Sequence, residues 1–193
     1  MLNILNKLIE KVIGNKLQFQ SILKDFIYSC QLGGLKQHST TDVGVVLTYI
    51  IHMGWVKSLL TSTLAFDIIQ FFPSLNHYLL PLILAKVGFD SRILSFFDDY
   101  LVDRKTSYLW NNFSSLSFNI GVSIGQSFAL SPILSTLYLS SILYIFKKRL
   151  KNLKIPVSLI SFVDNRLFIS QNTSLAILNS QLFCSYHIMS SLL

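Results

Sequence analysis

One carboxylate in an apolar run constrains this chain more than any other feature. Residues 62–75 read Ser-Thr-Leu-Ala-Phe-Asp-Ile-Ile-Gln-Phe-Phe-Pro-Ser-Leu. A strand buried on both faces is a continuous apolar stretch, and the pattern predicts one over residues 64–69. Asp67 interrupts it. A buried charge without a partner is costly or is forced neutral. Asp67 therefore either caps the turn that follows or serves as a metal ligand at the strand's C-terminal end. A second carboxylate elsewhere in the chain would decide between the two.

Composition narrows the setting. The 193 residues are 51% hydrophobic with 15 Phe and 8 Tyr, enough for one sizeable core. A net charge of +7 suits a polyanion or an anionic membrane surface. Cys30 and Cys184 both sit in apolar company, which predicts free buried thiols in an intracellular protein and no disulfide framework. Lys7, Glu10, Lys11 and Lys16 run through the region where the uncharged core of a signal peptide would lie, so none is expected. No charged residue occurs in residues 106–146. Residues 128–146 could cross a bilayer at about 1.5 Å per residue. Ser131, Pro132, Ser135, Ser140 and Ser141 argue against it, and a small membrane protein stays as a rival reading.

Apolar spacing at Leu2, Ile4, Leu5, Leu8, Ile9, Val12 and Ile13 predicts an N-terminal helix to about residue 28, interrupted at Gly14. Residues 30–41 read as a loop in which the Gly33-Gly34 pair allows positive φ. Ser39, Thr40 or Thr41 then caps a helix over 42–56, with Val45, Val46, Tyr49, Ile50 and Met53 inward. Its N-terminus, beside Lys36 and His38, suits an anion as well as an ordinary cap. Asn76 caps a helix over 77–87 that Pro81 kinks or delays, and Gly88 ends it. Asp90 caps the next, over 91–102. Residues 106–110 and 117–122 read as strands joined through a hairpin at 111–115. A long apolar helix follows, with Pro132 in its first turn. It ends in the basic cluster 147–154, a solvated end or a phosphate contact. Residues 156–163 and 166–170 form a β-hairpin with Asp164-Asn165 at its tip, and the pattern turns helical after Asn172.

Asp164 is the second carboxylate. If the strands carrying Asp67 and Asp164 are neighbours, the two acids face each other. Carboxylates that close repel unless cations neutralise them. Hard oxygen donors suit Mg2+ or Mn2+. Two such ions about 4 Å apart can activate an attacking hydroxyl and stabilise the leaving oxygen of a phosphate.

Ala65-Phe66-Asp67 with Phe72, then Gly125-Gln126 with Leu130-Ser131-Pro132, then Phe162-Val163-Asp164 stand in the order of palm blocks A, B and C. On these blocks the chain resembles a reverse transcriptase. Residues 33–42, Gly-Gly-Leu-Lys-Gln-His-Ser-Thr-Thr-Asp, are similar to the fingers segment ahead of block A in non-LTR, LINE-like retrotransposons. Residues 100–106 fit the same group, of fungal type. The resemblance covers about residues 33–170. It implies RNA-templated DNA synthesis from dNTPs, an RNA template and a DNA primer as partners, and no membrane. It implies Mg2+ or Mn2+ as cofactor and a nuclear location for a working retroelement protein. It implies Asp67 and Asp164 as the metal-binding, catalytic aspartates, with the Ile68 backbone carbonyl as a further ligand. Phe72 resembles the aromatic gate against a 2′-hydroxyl, although core packing explains it equally, and Gln126 resembles the contact to the incoming nucleotide. Lys36 and Arg104 are further candidates for phosphate contact.

The departures carry equal weight. Block C of the family has two aspartates in succession, and this chain has Asp164-Asn165. An amide carries no charge and weakens the hold on divalent ions. Block B of the family reads Gln-Gly-Ser; here Ser127-Phe128 follow Gln126, adding volume where glycine lets backbone approach. The early fingers blocks, the later palm block and the thumb are not recognisable. The expectation is an α+β fold, a palm-like antiparallel sheet packed on helices with incomplete fingers and no thumb. It divides into an N-terminal helical segment (1–32), a fingers and palm core (33–170) and a truncated C-terminal helix (171–193). The expected function is a reverse transcriptase fragment with little or no polymerase activity; a nucleic-acid-binding remnant without catalysis is the alternative.

Overall fold

The computed structural model describes residues 4–124 and 128–193. Helix α6 (Ser131–Asn152) is its spine. Pro132 stands in the first turn, where its missing N–H leaves no helical bond unmade. The apolar length that offered a bilayer crossing is protein core: Ile133, Leu134, Leu137, Leu139, Leu143, Phe146 and Leu150 are each at most 5% exposed. No helix among the described residues is long and apolar enough to cross a membrane. The hydroxyls of α6 serve the loop packed on it. Tyr28 N–H donates to Ser140 Oγ at 3.1 Å, and Thr136 Oγ1 donates to the Gly33 carbonyl at 3.1 Å.

Two apolar clusters share α6. Its N-terminal half meets Leu17 of α1 (Ile4–Leu23), Phe71 of α3 (Phe71–Ser74), Leu80 and Leu84 of α4 (Leu79–Val87), and Ile93, Phe97 and Leu101 of α5 (Ser91–Leu101). Its C-terminal half carries Leu143, Phe146 and Leu150, which pack with Leu182 and Met189 of α7 (Leu175–Ser190) against one face of a sheet. That sheet is antiparallel, in the order β1 (Leu60–Asp67), β7 (Asn165–Asn172), β6 (Val157–Phe162). Phe146 and Phe168 stack at 5.2 Å, and Phe66 sets its edge on Phe168 at 5.0 Å.

The two-sided burial expected around Asp67 is not found. β1 is an edge strand with Thr63, Ala65 and Asp67 on an exposed face. It ends at Asp67, and Ile69 lies 85% exposed beyond it. At the other edge, Gln31 makes a parallel bridge to Ser161, so part of the expected loop at 30–41 extends the sheet.

The caps expected from sequence are present. Asn76 Oδ1 accepts from the amides of Tyr78 (2.8 Å) and Leu79 (3.2 Å), so Pro81 delays α4 rather than kinking it. Asp90 accepts from Arg92 N–H at 3.0 Å. The hairpin forms in two pieces, β2 (Lys105–Thr106) with β5 (Phe118–Asn119), and β3 (Leu109–Trp110) with β4 (Phe113–Ser114). The first two helices are turned differently from expectation. α1 runs unbroken through Gly14, which lies against Ala129 and Leu130. Its buried stripe is Glu10, Gly14, Leu17 and Ser21, leaving Ile4, Leu5, Leu8, Ile9 and Val12 outward. In α2 (Thr40–Val56), Val45, Val46 and Tyr49 are exposed and Gly54 is buried. A Cβ on Gly54 would stand 2.4 Å from Gln171 Nε2, so the glycine sets which face meets the sheet. Gln171 fastens the contact by donating to the Ile50 carbonyl at 2.7 Å. Both cysteines are free, but neither is buried: Cys30 is half-buried and Cys184 is exposed.

Candidate active site at the tip of the sheet

Antiparallel pairing sets Asp67, the last residue of β1, opposite Asn165, the first of β7. Phe162 also pairs with Asn165, so the two-residue turn is Val163-Asp164, one position earlier than expected. Across this tip, Ile68 N–H donates to the Asp164 carbonyl at 3.2 Å. Asp67, Ile68, Asp164 and Asn165 thus meet at one end of the sheet. Asp67 and Asn165 are exposed and Asp164 is half-buried. Asn165 Nδ2 donates to Asp164 Oδ1 at 3.3 Å.

Val163 holds the turn with φ 55°, a region that β-branched residues rarely adopt. Two contacts brace it. Gly33 lies directly beneath, where a Cβ would stand 2.2 Å from Val163 N and 2.7 Å from Phe162 C. Arg166 Nη1 donates to the carbonyls of Val163 and Asn165, each at 2.8 Å. Within the glycine pair only Gly34 has positive φ, 79°, and it packs on Thr136 and Pro132. Gly33 is required by close approach instead.

Arg166 went unnoticed in the sequence as anything but a strand residue. It is 1% exposed, and its Nε and Nη2 have no hydrogen-bond partner among the described residues. Burial lowers its pKa to about 10, against the opposing pull of the Asp164 and Asp67 charges. Parity was the available signal, since residue 166 shares its face with buried Phe168 and Ser170.

Glu10 was missed as well. It is 2% exposed and accepts from Tyr100 Oη at 2.8 Å and from Ala129 N–H at 3.0 Å, tying α1 to the entry of α6. Burial, with the Glu10 carboxylate beside it, pushes the Tyr100 phenol far above its ordinary range. Arg104 stacks on Tyr100 and Phe128, 5.2 Å from each ring, and borders a cleft of about 610 Å³ between α4, α5 and the hairpin.

The remaining candidates are scattered. Lys36 Nζ donates to Asn15 Oδ1 at 2.7 Å, tying it to α1. Phe72 is half-buried against the first apolar cluster, edge-on to Phe71 at 5.5 Å. At the N-terminus of α2, Ser39 N–H donates to the Asp42 carboxylate at 2.6 Å, an ordinary capped helix. Gly125, Gln126 and Ser127 lie outside the described residues.

The donor set at the tip is two carboxylates and an amide, with a guanidinium buried behind them. Among the described residues, no three of His, Cys, Asp and Glu stand together as a metal site. Two carboxylates can hold a divalent ion together with substrate phosphates, and the Asn165 amide adds no charge to them.

No protein-family model matches the sequence, and no curated protein matches it. Solved structures do. Apo telomerase from Candida tropicalis, truncated from the C-terminal domain, aligns over 90% of this chain and 35% of its own, with TM-score 0.62 and 16% identity. Telomerase from Candida albicans, in complex with a TWJ fragment of telomeric RNA, aligns over 91% and 32%, with TM-score 0.65 and 13% identity. The chain spans about a third of the length of these telomerases. Telomerase is a reverse transcriptase, and the α+β arrangement expected from the sequence is borne out as a reverse-transcriptase-like fold.

Proposed function

We propose that the chain is a fingers and palm piece of a non-LTR, LINE-like reverse transcriptase of fungal type, which has lost DNA synthesis and keeps affinity for nucleic acid. The observation that carries this reading is the meeting of Asp67 and Asp164 at one end of an antiparallel sheet, joined by the Ile68 amide. The family's reaction is RNA-templated DNA synthesis from dNTPs with Mg2+ or Mn2+. Asn165 at the second position of block C and Ser127 in block B support its loss here. The charge of +7 supports an RNA or RNA–DNA hybrid partner held through phosphates. The C. albicans telomerase of similar fold was solved with an RNA fragment.

Primer extension on an RNA template, with Mg2+ or Mn2+, tests the loss. The unaltered chain is compared with Asn165→Asp and Ser127→Gly. The expected result is no product from the unaltered chain, and robust synthesis by it refutes the reading. Hybrid-duplex binding across a salt series tests the retained affinity. Log Kd is expected to vary linearly with log salt and to survive Asp67→Ala, because phosphate contacts would carry it. Absence of binding at low salt removes the nucleic-acid partner.

A further inference from the structure

Arg166 is a buried cation that no carboxylate touches. The ion pairs among the described residues join His38 to Asp42 and Arg92 to Asp90. Its cross-strand neighbours, Phe66 and Ser161, are uncharged. Leaving such a group buried is costly unless something compensates the charge. Its hydrogen bonds go to the carbonyls of Val163 and Asn165, the residues on either side of Asp164. Those two bonds hold its positive charge behind the turn that carries Asp164, and the Ile68 amide ties that turn to the end of β1 at Asp67.

We propose that Arg166 is the resident counter-ion of the Asp67 and Asp164 pair. It is a positioning residue that fixes the turn carrying Asp164. From beneath the sheet it supplies part of the positive charge that divalent ions bring to such a pair. This rests on reading the pair as a former metal site. The absent second aspartate is then only half of the barrier to metal binding. A fixed positive charge both repels an incoming divalent ion and satisfies the acids without it. Restoring Asn165→Asp alone leaves that charge in place.

The test is Mn2+ binding, followed by electron paramagnetic resonance, to the full chain and to Asn165→Asp, Arg166→Met and the double variant. Methionine keeps the apolar stem but removes the charge and both hydrogen bonds to the turn, so folding of each variant is checked by far-UV circular dichroism and Tm beside the binding. Arg166→Met is expected to raise Mn2+ association about tenfold in each background, and Asp67→Asn to abolish the gain. A merely structural arginine would shift Tm without shifting an Asp67-dependent affinity. Equal Mn2+ affinities with and without Arg166 overturn the proposal, provided a variant binds Mn2+ through Asp67. A metal-free measurement runs beside it, a double-mutant cycle of Asp164→Asn and Arg166→Met read by Tm. Non-additive shifts support the counter-ion and additive shifts overturn it. If no variant binds Mn2+ through Asp67 while the cycle stays non-additive, the former-metal-site reading falls and the counter-ion stands.

Discussion

Gly33→Ala places one carbon where the hairpin backbone already is. The added Cβ would stand 2.2 Å from Val163 N, 2.7 Å from Phe162 C and 2.8 Å from Val163 Cγ2. Rotating a side chain cannot relieve contacts with backbone, so residues 30–34 or the turn must move. Moving residues 30–34 strains three hydrogen bonds: Leu32 N–H to Ser161 O at 2.8 Å, Ser161 N–H to Cys30 O at 2.9 Å, and Thr136 to Gly33 O at 3.1 Å. Overpacking costs about 1–3 kcal/mol and each lost hydrogen bond about 1 kcal/mol. With partial relaxation, the total comes to about 4 kcal/mol. In a chain of this length that lowers Tm by roughly 8–16 °C. Gly44→Ala is the matched control, because a Cβ there meets nothing within 4 Å. It lies in the exposed part of α2, where alanine is favoured over glycine by about 0.8–1 kcal/mol, so Tm should rise by roughly 2–4 °C. Thermal unfolding followed by far-UV circular dichroism reads both. A Gly33→Ala chain that melts within about 2 °C of the unaltered one refutes the docking of this loop beneath the turn.

Three further outcomes follow from the packing. Phe168→Ala removes a fully buried ring from between Phe66 and Phe146 and should cost about 3–5 kcal/mol in denaturant unfolding. Tyr100→Phe deletes a donor to the buried Glu10 carboxylate and should cost about 1.5–3 kcal/mol in the same assay. The Tyr28 phenol is pushed from 10.0 up to about 12, chiefly by burial and then by Cys30. The unfolded chain therefore releases this proton first, and the stability it confers is intact below pH 10 and lost as pH climbs to about 12. Tyr28→Phe should flatten the loss of stability over that window, and an unchanged alkaline profile would count against the burial of this hydroxyl.

Much of the fold was legible because local chemistry pointed the same way as the packing. Asn76, Asp90, Gly88 and Pro132 each act at the helix end where their side chains or φ preferences place them. The two acids were legible because each interrupts or ends an apolar run. What failed was the facing of α1 and α2. Both carry apolar residues around much of their circumference, so periodicity does not select one stripe; in α2 Gly54 selects it by allowing close approach, and in α1 the buried Glu10 and its partners do. Arg166 and Glu10 were illegible for a different reason. A charged residue in a helix or strand usually marks a solvent face, and only tertiary partners show that these two are inside.

During synthesis, β1 appears long before anything can pair with it. Its register partner β7 follows about a hundred residues later. At about 5–20 residues per second the strand waits roughly 5–20 s with its edge unmet. Loop 30–34, made earlier still, waits for the turn at Val163 and for the hydroxyl of Thr136. The acid pair is therefore assembled late, from segments made about a hundred residues apart. A product released before β7 would carry Asp67 but no partner strand to set against it, so an interrupted chain has no partial site.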